Sequence, residues 1–93
     1  MKFKFSDIKI GGYYRLSYKL FYIHGMTDKI GICKILSKNY EYRTVLVEGY
    51  TLADNKKVSY EITVDYIISK ADDIDIKKFK MDVIRNDANN YNI

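Results

Sequence analysis

Twelve residues, Val58 to Ser69, alternate almost without fault. Val58, Tyr60, Ile62, Val64, Tyr66 and Ile68 share one parity. Ser59, Glu61, Thr63, Asp65 and Ser69 share the other, with Ile67 the exception. A period of two places these sets on opposite faces of a strand, whereas a helix would mix them. Such a run needs a sheet to pack into. It is long for one strand, so a bend or break is expected near Asp65.

A second alternating run precedes it. Tyr14, Leu16, Tyr18, Leu20 and Tyr22 keep one parity, and Tyr13, Arg15, Ser17, Lys19, Phe21 and Ile23 keep the other. The pattern predicts a second long strand, entered through the Gly11-Gly12 bend. Shorter strands are expected at Lys2–Phe5, at Ile30–Leu36 with a bulge near Gly31, and at Tyr42–Leu52 with a bulge or bend at Gly49. Ser37–Glu41 reads as a turn and Ala53–Lys57 as a polar hairpin loop. The interior is expected from the even-numbered side chains of the two long runs.

The last third changes character. Asp72, Asp73 and Asp75 precede Lys77, Lys78, Lys80 and Arg85, the order that complements a helix dipole. Ile76, Phe79 and Val83 fall on one helical face. Phe79, Met81 and Val83 also alternate, so a strand competes; the charge order favours a helix at about 73–85, capped by Asp72 or Asp73. Residues 86–93 read as a frayed Asn-rich tail. The expectation is a single mainly β domain over 1–85: a small barrel of about five antiparallel strands with a C-terminal helix.

The 93 residues suffice for one modest core, with little room for a deep cleft. The chain has ten Tyr, four Phe and no Trp, which suits half-buried sheet surfaces. Its net charge of +4 is uneven: residues 1–60 hold 11 Lys/Arg against 5 Asp/Glu, and residues 61–93 hold 5 against 7. A basic body suits an acidic protein surface or nucleic acid, or merely keeps the chain soluble. The one cysteine, Cys33, precludes an intrachain disulfide and sits in an apolar run, as a core residue does. The reducing cytoplasm is therefore the expected compartment. No stretch approaches the apolar length of a membrane span or a secretion signal.

Chemistry-bearing motifs are thin. His24, the one histidine, lies beside Gly25 in a loop, with no third group to orient a His–Cys pair with Cys33. Asp73-Ile74-Asp75 lacks the glycine and terminal glutamate of a calcium loop. Glu41, Glu48, Glu61 and Asp65 supply carboxylates but no sign of a cleft to pair them. No phosphate loop is present, and no cofactor, metal or catalytic residue is expected.

Ile8-Lys9-Ile10-Gly11-Gly12-Tyr13-Tyr14-Arg15-Leu16, Ile30-Gly31-Ile32, Thr44-Val45-Leu46-Val47 and Val64-Asp65-Tyr66-Ile67-Ile68 resemble, in order and spacing, the strands of SH3-like small barrels over residues 8–71. The resemblance implies a binding scaffold. The tryptophan pair that signalling SH3 domains use for proline-rich peptides has no counterpart here, so that function is not implied.

On the second strand Tyr13, Arg15, Lys19 and Phe21 would line one face at steps of about 6–7 Å. Aromatics interleaved with cations suit a protein hot spot or single-stranded nucleic acid. The competing reading packs Tyr13 and Phe21 under the C-terminal helix and leaves ordinary surface charge. Lys56 and Lys57, at a loop tip, would steer a partner by charge. The expected function is a non-catalytic protein that docks on a larger protein, with nucleic-acid binding as the alternative and a homodimer permitted by the Tyr-rich strands. The Lys-, Ile-, Asn- and Tyr-rich composition fits an AT-rich genome, and with the small size suggests a bacteriophage or mobile-element inhibitor of host machinery.

Overall fold

The computed structural model describes residues 3–23, 25 and 28–91. Five strands, β1 Tyr13–Leu16, β2 Ile32–Asn39, β3 Thr44–Tyr50, β4 Lys57–Thr63 and β5 Ile67–Lys70, join a short helix α1 at Lys19–Ile23 and a long helix α2 at Asp73–Tyr91. Every strand pairing is antiparallel, and the strands lie in the order β4-β3-β2-β1-β5 in one curled sheet, a half-barrel. The mainly β class and the C-terminal helix are as expected.

The long alternating run breaks where the sequence indicates. β4 holds Val58, Tyr60 and Ile62 towards the core, a 3-10 turn takes Val64–Tyr66, and β5 follows. The turn also shifts the parity, because a 3-10 turn rotates about 120° per residue where a strand rotates 180°. Ile67, the exception in the pattern, is therefore the buried one, and Ile68 is 56% exposed.

The second run corrects the expectation. It is a strand only to Leu16, and Lys19–Ile23 is helical. Leu20 and Phe21 are both buried, which a strand with one wet face does not achieve for adjacent residues. The Ser17 hydroxyl accepts the Lys19 N–H at 3.2 Å, turning the chain into the helix. Even parity thus does not define the interior: Phe21 and Ile67 are buried within the two runs, and Cys33, Ile35, Val45 and Val47 join Tyr14, Leu16 and Ile62 in the core.

Other boundaries move as well. Of the expected strand Lys2–Phe5, Lys2 lies outside the described residues, and Phe5–Asp7 is a 3-10 turn with the Asp7 carboxylate accepting the Lys4 N–H at 3.0 Å. The bulge in β2 is at Leu36, between Ile35 and Ser37, rather than at Gly31. β2 continues to Asn39, whose side-chain oxygen accepts the N–H groups of Glu41 and Tyr42 to build the turn that follows. Gly49 sits in regular register, neither bulged nor bent. A Cβ there would lie 2.7 Å from Ile30 Cδ1 and 2.8 Å from the Ile32 carbonyl oxygen, so the glycine permits close packing.

α2 lies against β2 and β3 on the outer face of the sheet. Phe79 is buried between two rings, edge-on to Tyr13 at 5.2 Å and to Tyr50 at 5.4 Å. Burying one such side chain contributes about 1.5–3 kcal/mol, and each aromatic pair about 0.5–1.5 more. Asp72 and Asp75 cap the helix reciprocally: Asp75 N–H donates to Asp72 Oδ1 at 2.8 Å, and Asp72 N–H to Asp75 Oδ2 at 3.3 Å. The helix runs beyond the expected 85 to Tyr91, through much of the segment expected to fray.

Candidate interaction surface

The six residues singled out from the sequence do not form one site. Tyr13 is half-buried beneath Phe79. Arg15 points outward but is occupied, its Nε donating to Asp75 Oδ2 at 2.6 Å and a terminal nitrogen lying 3.3 Å from Asp72 Oδ2. Lys19 is exposed on α1. Phe21 is 1% exposed and packs inside against Tyr60, 6.0 Å between ring centroids, so it cannot form a contact face. Lys56 is exposed in the β3–β4 connection, and Lys57 pairs with Glu48 at 2.9 Å. The strip assumed an extended chain past Leu16, and the helical turn at α1 disperses it.

Titratable groups have structural duties. Burial pushes the Cys33 thiol up to about 12, keeping it un-ionised in the core. The hydrogen bond from Arg15 holds the Asp75 carboxyl below its ordinary range, and Arg15 is raised in return. Lys57 is raised by its bond to Glu48. Glu61 accepts from the Thr44 hydroxyl at 2.6 Å. Among the described residues no group of three or more His, Cys, Asp or Glu could hold a metal ion. His24 lies outside the described residues.

A different surface assembles where Tyr18, at the entry to α1, stands across a cleft from α2, here called the α1–α2 rim. Because Leu20 and Phe21 take the buried side of α1, Tyr18 and Tyr22, one helical turn apart, point out together. Tyr22 is 71% exposed. Lys29 Nζ lies 4.4 Å from its ring centroid and donates to its hydroxyl at 3.3 Å, which fixes the ring. Leu52 is brought alongside by its N–H, which donates to the Lys29 carbonyl at 2.9 Å. Gly31 lies between Tyr18 and Leu52: a Cβ there would stand 3.7 Å from the Tyr18 hydroxyl and 4.0 Å from Leu52 Cδ2.

Tyr18, Gly31 and Leu52 bound a shallow cleft of about 160 Å³ with α2, whose Lys78 and Asp82 stand on the helix side, while Tyr22 and Lys29 lie outside its lining. Two reciprocal amide contacts hold that side in place: Asn86 Nδ2 donates to the Asn55 carbonyl at 3.1 Å, and Asn55 Nδ2 to the Asp82 carbonyl at 3.3 Å. Ile74 and Met81 flank Lys78 on the helix surface, four residues before and three after it. Ile74 is 80% exposed and Met81 is 48% exposed.

No family model, no curated protein and no solved structure gives a significant match to this chain. Among the described residues no helix is long and apolar enough to cross a membrane.

The rim is the surface that sequence reasoning missed. The signal was the Tyr18–Tyr22 spacing, which fits a helix turn as well as a strand. Period-two alternation masked it, because positions four apart also share a strand face.

Proposed function

We propose that the chain is a non-catalytic binding protein that docks on a larger protein through the α1–α2 rim. The observation that carries this reading is the pair of exposed large hydrophobics Tyr18 and Leu52 in the lining of one cleft, with Tyr22 exposed one helical turn from Tyr18 and Ile74 and Met81 exposed on α2 to either side of Lys78 in sequence. Scattered exposed hydrophobics need no explanation, but grouped ones rimmed by charge favour association. Tyrosines held by neighbours lose little entropy on binding and are enriched in hot spots. Lys78 and Asp82 on the helix side give the cleft the mixed polar edge that surrounds interface cores. The dispersal of the Tyr13–Phe21 strip weakens the nucleic-acid alternative.

An SH3-like assignment is the finer structural reading. It is supported by β5 lying beside β1 and by the 3-10 turn that joins β4 to β5. A bacteriophage or mobile-element inhibitor of host machinery, acting in the cytoplasm by covering its target, is the finer functional reading. Its support is the composition and the small size.

The test is affinity capture from a host lysate with the wild type and a Leu52→Glu/Ile74→Glu variant, each with and without nuclease. The expected result is a nuclease-resistant partner lost in the variant, whose thermal unfolding matches the wild type because both positions are exposed. Capture that vanishes with nuclease, or survives the double change, overturns the reading.

A further inference from the structure

The sheet has two ends, and they differ. At β4 the strand is tied across to the α1 region: the Tyr60 hydroxyl donates to the Asp28 carbonyl at 2.9 Å, and the Tyr60 ring packs on Phe21. At β5 the far edge faces a groove of about 630 Å³, lined by Ile68, Ser69 and Lys70 on one side and by Phe3, Ser6, Asp7 and Lys9 on the other.

Backbone parity shows what the β5 edge offers. Ala71 N–H donates to the Tyr13 carbonyl at 3.0 Å, and Ser69 is opposite Arg15, so residues 69 and 71 turn their polar groups to β1. In an antiparallel ladder the intervening residue turns the other way. Lys70 therefore directs its N–H and C=O away from β1, towards the groove. Its partner Tyr14 belongs to the β1 residues that bond to β2, as Leu16 N–H does to the Gly31 carbonyl at 2.9 Å. Ile68, displaced by the irregularity opposite Arg15 and Leu16, adds an exposed apolar side chain beside this edge.

The charge of the groove selects its occupant. Among the described residues of its lining, Lys9 and Lys70 stand against one carboxylate, Asp7, which is already engaged by the Lys4 N–H. Phe3 and Ile68 supply apolar surface in the same groove. We propose that this edge takes an extended acidic segment of a partner protein as a sixth strand, pairing with Lys70 and placing alternate side chains over Phe3 and Ile68. Strand addition of this kind draws affinity from main-chain hydrogen bonds and specificity from alternate side-chain positions. The surface shares no residue with the α1–α2 rim, so the two readings stand or fall separately.

The test uses a fluorescein-labelled ten-residue peptide of alternating Glu and Val, a Lys–Val counterpart, and a Glu–Val peptide N-methylated at alternate residues. Each is titrated into the full ¹⁵N-labelled chain. The expected result is that the Glu–Val peptide shifts amides in 67–71 and 4–9 and weakens with salt. The Lys–Val and N-methylated forms should fail to bind. Lys9→Glu/Lys70→Glu should weaken the Glu–Val peptide about tenfold or more, whereas Leu52→Glu leaves it unchanged. Four outcomes overturn the proposal: no binding of the Glu–Val peptide, equal binding of the N-methylated or Lys–Val form, shifts confined to other residues, or the same 67–71 shifts on concentrating the chain alone, which would assign the edge to a second copy.

Discussion

Arg15 on β1 and Asp75 on α2, 60 positions apart, meet through Nε and Oδ2 at 2.6 Å, and the same carboxylate caps the first turn of the helix. One side chain thus aligns the helix start and ties it to the sheet. The arginine is the residue expected to face a partner. Its charge is engaged within the fold, and with the capping pair it ties the start of α2 to the sheet.

This relationship sets a pH dependence. Asp75 is held below its ordinary carboxyl range, first by the hydrogen bond from Arg15. A depressed folded-state value means that the unfolded chain binds the proton more readily. The contribution is therefore complete above the ordinary carboxyl range, about pH 4, and is lost as pH falls through the depressed value. Asp75→Asn should lower the melting temperature at neutral pH, and the gap from wild type should narrow on acidification. Thermal unfolding of both proteins from pH 7 to 2 checks this; a constant gap would contradict it.

Phe79→Ala should cost about 3 kcal/mol, the low end for a buried phenylalanine. The change empties the site between Tyr13 and Tyr50 and releases the middle of α2 from the sheet. Urea unfolding gives the magnitude. The near-ultraviolet circular dichroism of the tyrosines should fall as the edge contacts are lost.

Gly49→Ala should destabilise by about 1–3 kcal/mol, the usual range for overpacking a filled core. One obstacle is the flexible end of Ile30, but the other is the Ile32 carbonyl oxygen in the neighbouring strand. The backbone must shift for the methyl to fit. Gly31→Ala, where the nearest atoms are at ordinary contact distance, is the matched control and should be milder in the same urea measurement.

Cys33 should resist thiol reagents in the folded protein. It is fully buried, and desolvation pushes its thiol up to about 12, so little thiolate forms at pH 8. Labelling with a chromogenic disulfide should be slow in buffer and fast in denaturing urea. Rapid labelling of the native protein would contradict the burial.

Local physics was legible wherever one interaction dominated. The Asp72–Arg85 charge order and the Ile76–Phe79–Val83 spacing identify a helix because dipole and amphipathic face agree there, and α2 exists. The alternation of residues 58–69 identifies strands on both sides of a break, because one wet and one dry face leave few other conformations. Two failures share one cause. Period-two parity is kept by Tyr14–Tyr22, yet the chain turns helical at Lys19–Ile23 and buries neighbouring Leu20 and Phe21 together. The parity also shifts across Val64–Tyr66, where the 3-10 turn exchanges Ile68 for Ile67 in the core.

Sequence alone therefore determined the β-rich class, the final helix and the inert cysteine, since each follows from neighbours within about ten residues. Tertiary structure decided which side chains remain available. Arg15 is engaged by Asp75 and Phe21 by the core, while Tyr22, Leu52 and Ile74 are left exposed. Exposure depends on which distant element arrives to cover a residue, and no local pattern carries that information.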